Sequence, residues 1–325
     1  EYQKGARLYA AHPAPHGSAA ETRQAFARAE VILAGGAFNT PQLLMLSGIG
    51  PRAELAAHGI ACRVDLPGVG RNLQDRYEVG VVNRMAKPWA ALNGATFTRH
   101  DPLFVQWRRH GRGMYGSNGV SLAVTRRSTP DKPVPDIFLM GLLARFQGYF
   151  PGYARLVATE HDCLTWAVLL AHTANRAGTV RLVSSDPRAT PQIQFNYFTQ
   201  TSDPGGRDLA AAVRGVELAR AIAAPMHKRG RIAEELVPGS HVRGAALADW
   251  VRDNAWGHHA SCSAAIGPRD AGGVLGSDFR VHGVRGLRVV DASVFPRIPG
   301  YFIVSAIYMI GEKAADVILE SAGGQ

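Results

Sequence analysis

The sequence predicts an α/β fold joined to an α+β one, an incomplete Rossmann-like cofactor domain interrupted by a substrate domain with an antiparallel sheet and helices. Three observations carry this reading. Val31-Ile32-Leu33-Ala34-Gly35-Gly36-Ala37 is a continuous apolar run that turns on glycine into a helical stretch, as expected of a strand covered on both faces. From about residue 76 to 255 the pattern changes to alternating strands and amphipathic helix. Leu287-Arg288-Val289-Val290 then reads as another short strand, and Ile303, Ile307, Ile310, Ala314, Val317 and Ile318 form one apolar stripe on a helix preceded by Pro299 and Gly300. The expected division is therefore 1–75 for the first part of the cofactor domain, 76–255 for the substrate domain and 256–325 for the return.

Taken in order, Arg7-Leu8-Tyr9-Ala10-Ala11 and residues 31–37 are expected strands with a charged loop or hairpin between them. Thr40 is the expected N-cap of the next helix, with Pro41 at its first position and Ser47-Gly48 closing it. Gly68 and Gly70 mark a loop, and Asp101-Pro102 starts a short helix that leads into a glycine-rich stretch. Loops as long as those between 84 and 120 usually serve as lids or binding segments. Thr179–Val183 and Gln192–Phe195 alternate as antiparallel strands do, around the turn Ser184-Ser185-Asp186-Pro187. A helix is expected from Asp208 to about Ala223, with Leu209, Val213, Val216, Leu218 and Ile222 at broadly helical spacing.

At 325 residues and 46% hydrophobic, the chain can bury a large core and form one large or two ordinary domains. Its net charge of +10 is scattered. The densest cluster, Arg108, Arg109, His110 and Arg112, lacks interleaved aromatics and reads as a solvated helix face, so no nucleic-acid partner is expected. Cys62, Cys163 and Cys262 make no disulfide framework and no CxxC pair, which favours a reducing, cytoplasmic compartment. No apolar run reaches the length of a membrane span. The start, Glu1-Tyr2-Gln3-Lys4-Gly5, is neither a signal peptide nor an initiating methionine and reads as the middle of a longer protein.

GxSxG, HExxH and P-loop patterns are absent, which removes support for serine hydrolase, zinc peptidase and nucleoside triphosphatase readings. Gly111-Arg112-Gly113-Met114-Tyr115-Gly116 matches GxGxxG by letter only. A dinucleotide fingerprint needs a strand leading in and a helix leading out, and here a charged helical stretch precedes and the loop Ser117-Asn118-Gly119 comes after. His258-His259 has no third ligand at useful spacing, so no metal site is expected. The pair matters because of the segments C-terminal to it: a short strand that delivers Asp291, then a turn, then a long apolar helix, the frame of a redox-cofactor site.

Gly35-Gly36-Ala37-Phe38-Asn39-Thr40-Pro41-Gln42-Leu43-Leu44-Met45-Leu46-Ser47-Gly48-Ile49-Gly50-Pro51 resembles the second signature of the glucose-methanol-choline (GMC) oxidoreductases. Gly68-Val69-Gly70-Arg71-Asn72-Leu73-Gln74-Asp75, the His258-His259 segment and Gly286–Ser293 resemble three further blocks of that family in the same order. The resemblance runs from about residue 1 to 320 and implies an FAD-dependent enzyme that oxidises a small-molecule alcohol, passing hydride from carbon to flavin N5 while a base removes the hydroxyl proton. It implies His259 as the base, with the ordinary histidine pKa near 6.5 suiting it to neutral pH, and His258 beside the flavin. Gly35 in the glycine turn, Asp291 and Ala292 near the ribityl and pyrophosphate groups, and the backbone amide of Ile303 at the flavin N1–C2=O edge complete the implied cofactor contacts. By residue type alone, Asp291 could equally be a strand-end turn residue.

Two departures stand out. Phe302 occupies the second active-site position, where relatives carry His or Asn, and Arg76 replaces the histidine after Asn-Leu-Gln-Asp. The GxGxxG unit that opens the family's cofactor domain is also absent, so a truncated piece that binds FAD weakly by itself is expected. The electron acceptor stays open among oxygen, a quinone and a cytochrome. Alternatives are a flavin-dependent lyase, such as a fatty-acid photodecarboxylase or a hydroxynitrile lyase, and a fragment that is inactive alone.

Overall fold

The computed structural model describes residues 1–4, 21–200 and 202–323. The strand expected at residues 7–11 lies outside them. Short strands β1 (Tyr2–Lys4) and β2 (Glu21–Arg23) pair antiparallel, and β3 (Val31–Leu33) leads into α1 (Gly36–Leu46). Strands β4 (Ile49–Gly50) and β5 (Val64–Asp65) pair in parallel on either side of α2 (Arg52–Ala57).

The start of α1 corrects the expectation from Thr40-Pro41, because both residues lie inside the helix. A proline there removes an N–H and leaves the carbonyl of Ala37 without its helical donor. Tertiary contacts supply the remedy: Ser263 Oγ donates to that carbonyl at 2.5 Å. Thr40 Oγ1 accepts from the Gly35 amide at 3.0 Å and donates to Asp291 Oδ2 at 2.6 Å. Local capping signals were outcompeted by partners more than two hundred residues away.

The middle of the chain contributes β6 (Glu78–Met85), α3 (Pro102–His110), β7 (Val120–Arg126), β8 (Ile137–Leu142), α4 (Tyr153–Thr159) and β9 (Cys163–Leu170). After these come the strands β10 (Thr179–Arg181) and β11 (Gln192–Gln194), then α5 (Arg207–Lys228), β12 (Ile232–Val237) and α6 (Ala245–Asn254). A five-stranded antiparallel sheet forms in the order β12-β6-β9-β8-β7. Strands β10 and β11 pair antiparallel, as their alternation predicts. They pack against the early segment rather than this sheet: Leu182 N donates to Glu54 Oε1 and Val180 N to the Gly70 carbonyl.

Helix α5 covers one face of the sheet, touching β6, β8, β9 and β12. Its buried face is Ala211, Ala212, Gly215, Val216, Ala219 and Ala223, with Leu209, Val213, Leu218 and Ile222 as half-buried flanks. The sequence suggested that the large residues face the core. Of the five expected, Val216 is fully buried and the others flank the core, while the rest of the buried face is small because the helix lies close: Gly215 sits on Val168 of β9 with no room for a Cβ. Strand β8 shows the two-residue period that divides the sheet's faces. Ile137 and Leu139 join the core under α5, whereas Met140 and Leu142 open on a cavity and Phe138 meets Phe302 edge-on at 5.4 Å.

Strand β13 (Leu287–Val289) pairs in parallel with β3, joining Leu287 to Val31 and Val289 to Leu33. A 3-10 turn at Ala292–Val294 and an extended strap then lead to α7 (Val304–Gly323), whose Ile310, Ala314 and Val317 pack into the core beneath β13. The expectation that β3 is covered on both faces does not hold here. Val31 is 47% and Ile32 46% exposed, and among the described residues β3 pairs with β13 alone. Among the described residues no helix is long and apolar enough to cross a membrane.

Candidate active site

The site grows from two extended segments that run antiparallel. Glu78 N donates to the Trp256 carbonyl at 2.8 Å and Trp256 N to Glu78 O at 3.1 Å. Gln74 and Ser261 exchange the same pair of bonds at 3.0 and 2.9 Å. Residues 75–77 lie between these bridges on one side and residues 257–260 on the other, so four residues oppose three and one strand carries an extra residue. Such a bulge breaks the alternation of side chains. In a regular strand consecutive side chains would point apart. Here the rings of His258 and His259 lie 4.4 Å apart and both line the cavity.

Their surroundings differ. His258 is exposed and stacks on Trp256 at 5.1 Å with an interplanar angle of 22°, with Tyr149 edge-on at 5.8 Å. His259 is 7% exposed, its Nδ1 is buried without a hydrogen-bond partner among the described residues, and Phe302 stands 5.6 Å away. The main chain of His259 is held by Asp75, whose Oδ1 accepts from His259 N at 2.8 Å and from Arg76 N at 2.7 Å, while Oδ2 accepts from the Tyr197 hydroxyl at 2.9 Å. Gly257 is required there, because a Cβ would collide with the Asp75 carboxylate.

The cavity has a volume of about 1150 Å³ and is walled mainly by apolar side chains from β8, α4 and residues 92–120, with Ile303, Val304 and Ser305 of the α7 start at one end. Phe302 is a wall residue, and its ring offers no hydrogen bond. Among the polar residues of the wall, sequence reasoning missed Glu78. It is 1% exposed, lines the cavity, and both carboxyl oxygens are buried without a partner among the described residues. A signal existed: it is the lone acid of the strand Glu78–Met85, set directly before the apolar run Val79-Gly80-Val81-Val82.

Burial dominates the titrations. It pushes Glu78 up to about 8, with the nearby Asp75 charge adding to the rise. It lowers His259 to about 3, reinforced by His258 and by the Arg76 guanidinium, and lowers His258 for the same reasons of burial and Arg76. Asp75 rises to about 6 through burial, against hydrogen bonds from His259, Arg76 and Tyr197. The ordinary histidine value near neutrality therefore does not apply to His259, which is uncharged over the whole physiological range.

The other expected residues fall in two places. Ile303 lines the cavity with Phe302 and the histidines. Gly35, Asp291 and Ala292 gather instead where β3 and β13 end. Asp291 Oδ2 accepts from Gly36 N at 3.0 Å and from Thr40, and Oδ1 accepts from Ser293 N at 2.7 Å. Its carboxylate is thus engaged in tying the end of β13 to the first turn of α1. The decoy glycines lie where a helix leads in, Gly111 ending α3 in a left-handed conformation, and strand β7 leads out. That stretch nevertheless serves the site, since Met114 and Tyr115 line the cavity. The cluster Arg108, Arg109, His110 and Arg112 is solvent-exposed at the end of α3. Cys62, Cys163 and Cys262 are free thiols, and among the described residues no cluster of three or more His, Cys, Asp or Glu could hold a metal.

The cavity brings together a buried histidine, a buried acid and the first turn of a long helix. Sequence models of the GMC oxidoreductase family match this chain at residues 5–78 and 174–311. The chain belongs to the GMC oxidoreductase family, whose cofactor is FAD. It is 34% identical over 295 residues to the oxygen-dependent choline dehydrogenase of Staphylococcus aureus, covering 89% of this chain and 50% of that protein. A formate oxidase structure superposes with a TM-score of 0.77 at 29% identity, covering 91% of this chain and 55% of that one. A fungal aryl-alcohol oxidase superposes with a TM-score of 0.71 at 27% identity, covering 90% and 55%. The chain spans about half the length of the relatives it matches.

The residues present fit the flavin end of FAD. The first turn of α7 opens into the cavity beside His258, and a helix N-terminus is a ready partner for negative charge. For the pyrophosphate end, the described residues include no strand–glycine turn–helix unit with a GxGxxG sequence.

Proposed function

We propose that this chain forms the substrate cavity and the proton-accepting side of an FAD-dependent oxidoreductase acting on the CH–OH group of a small-molecule alcohol. The observation that carries the proposal is His259, buried, with an unpartnered ring nitrogen, opening on the cavity it shares with Phe302 and the start of α7. FAD, when bound, supplies the hydride acceptor. His259 takes the hydroxyl proton; burial keeps its ring in the neutral, proton-accepting form while weakening it as a base. His258, stacked on Trp256, forms the wall beside the flavin. The α7 N-terminus places backbone amides where negative charge would gather, and such fixed dipoles stabilise it without reorganisation. Asp291 and Ala292, with Gly35, would hold the ribityl and pyrophosphate side, Asp291 acting through the first turn of α1 rather than by a free carboxylate. Residues 1–75 and 256–325 would make up the cofactor side, and 76–255 the substrate side.

Phe302 removes the second hydrogen-bonding group, and the predominantly apolar cavity then suits a larger or more apolar alcohol, with Glu78 as its buried polar contact. The same lack of a second hydrogen-bonding group favours the lyase reading enough to test both together. Anaerobic bleaching of the flavin by aryl or aliphatic alcohols is the expected outcome in the flavin-loaded protein. Light-dependent release of CO2 from fatty acids with no bleaching by alcohols would replace the oxidoreductase by a photodecarboxylase.

A further inference from the structure

Alternate residues of the segment 72–76 grip successive backbone groups of the strap that leads into α7. Asn72 Nδ2 donates to the Pro296 carbonyl at 3.2 Å and to Cys262 O at 3.3 Å. Gln74 Oε1 accepts from Ile298 N at 3.2 Å, and Gln74 Nε2 donates to Asn72 Oδ1 at 2.8 Å. Arg76 Nη2 donates to the Pro299 carbonyl. An extended chain places every second side chain on one face, so three side chains meet one strap in register. Gln74 and Arg76 are 1% and 0% exposed, so neither bond competes with water.

The same five residues hold the other half of the site. The Gln74 main chain bonds Ser261 in both directions and the Asp75 carboxylate fixes the His259 amide. Backbone strain gathers at the ends of this arrangement: Asn72, Cys262 and Tyr301 are non-glycine residues with φ of 62°, 75° and 58°. Such strain persists only where surrounding contacts over-determine it. Tyr301, immediately before Phe302, is tied through its amide to Ala171 O at 3.2 Å and through its hydroxyl to Pro135 O at 3.3 Å. Gly300 leaves no room for a Cβ against His172.

From this geometry we infer that Asn72, Gln74 and Arg76 are positioning residues that set the distance between His259 and the α7 N-terminus, so that base and helix amides meet the flavin as one rigid unit. The inference rests on the proposed function for its chemistry, though the clamp itself is a property of the chain. It identifies Arg76, which departs from the family's histidine, as the charged end of the clamp rather than a substrate group.

The test uses two readouts besides turnover. One is the affinity of the flavin-loaded protein for sulfite, whose addition at N5 leaves negative charge at the N1–C2=O edge. The other is hydrogen exchange of the Ile307 amide, which bonds the Ile303 carbonyl in the first turn of α7. Gln74→Met deletes the middle grip at similar volume and should weaken sulfite binding about tenfold, the size of a favourable helix-terminus interaction, and speed Ile307 exchange. Asn72→Gly keeps the left-handed backbone, removes only the side-chain bonds, and carries the comparison if Gln74→Met does not fold. Arg76→Lys should keep both readouts near the parent. Unchanged sulfite affinity and unchanged Ile307 exchange in Asn72→Gly and Gln74→Met would overturn the clamp. A parent protein that loads flavin but oxidises no alcohol would defeat the proposed function while leaving the Ile307 comparison able to decide the clamp.

Discussion

His259 and Glu78 share one cavity and are both uncharged at neutral pH, for opposite reasons that both come from burial. For His259 the folded value of about 3 lies below the ordinary 6.5, so the unfolded chain binds the proton first. Its contribution to stability is complete above pH 6.5 and is lost as pH falls toward 3. For Glu78 the folded value of about 8 lies above the ordinary 4.5, so its contribution is complete below pH 4.5 and is lost as pH rises through 8. Glu78→Gln should therefore gain stability relative to the parent between pH 5 and 9, by on the order of a few kcal/mol, seen as a widening difference in denaturant midpoint with pH. In flavin reduction, the visible titration should be that of Glu78 near pH 8 rather than one near 6.5, and it should vanish in Glu78→Gln. A retained transition in that variant would assign it elsewhere. The two histidines should also separate, despite their ring contact. General bases contribute a factor of about 10² to 10⁴, so His259→Ala should slow flavin reduction by that order with cofactor retained. His258→Phe keeps an aromatic ring on Trp256 and should be milder. Equal losses in rapid-mixing experiments would remove His259 from the role of base.

At the scale of elements, the sequence was most legible where signals are local. Asp101-Pro102 does start α3, with Asp101 Oδ1 accepting from Leu103 N at 2.8 Å, and the 179–194 strands pair as their alternation predicts. It was misleading where tertiary partners decide. Thr40 has the residue type of a cap, yet it serves Asp291 from inside α1. The buried face of α5 is mostly alanine and glycine, with Val216, and Gly215 meets Val168 too closely for a Cβ. No residue type announces that four residues oppose three at the His258-His259 bulge, which depends on a partner strand 180 positions earlier in the chain. The 92–120 segment was legible as a binding loop but not in its anchor. Asp101 is 1% exposed and also accepts from Thr96 N, Phe97 N and the Tyr115 hydroxyl, at 2.6, 3.0 and 2.5 Å. Burial alone would raise its pKa, and these hydrogen bonds outweigh that and hold it near 2. Asp101→Ala should cost about 1–2 kcal/mol, as lost N-caps do, and free Tyr115 from its place in the cavity wall. The expected signature is faster proteolysis between residues 92 and 120 and a raised KM with little change in kcat. An unchanged cleavage pattern would show that the segment is held by other contacts.

For the whole molecule, the order of the four motif blocks was enough to give the family, because it depends on local strand–turn–helix chemistry that survives at low identity. The absence of a strand–GxGxxG–helix unit from the described residues was equally legible, and its consequence can be argued from exposed surface. Parallel strands are normally covered on both faces. Here Val31 and Ile32 of β3 are nearly half exposed, and Val304, Tyr308, Met309 and Leu319 of α7 are 59%, 74%, 72% and 70% exposed. The flavin end of FAD has a cavity and a helix N-terminus to meet, whereas for the pyrophosphate the described residues include no strand–GxGxxG–helix unit. In dinucleotide-binding folds that glycine turn and helix N-terminus are where the pyrophosphate is held. The 325-residue chain alone should therefore purify with little FAD, and added FAD should bind weakly and without the sharpened absorbance of an enclosed flavin. When the chain is made continuous with a strand–GxGxxG–helix unit from a family member, occupancy should rise toward one flavin per chain, and binding of hydrophobic dye should fall as the exposed apolar residues are covered. A stoichiometric yellow chromophore on the 325-residue chain itself would overturn this, and would mean that the cavity and the α7 N-terminus hold the cofactor without a pyrophosphate cradle.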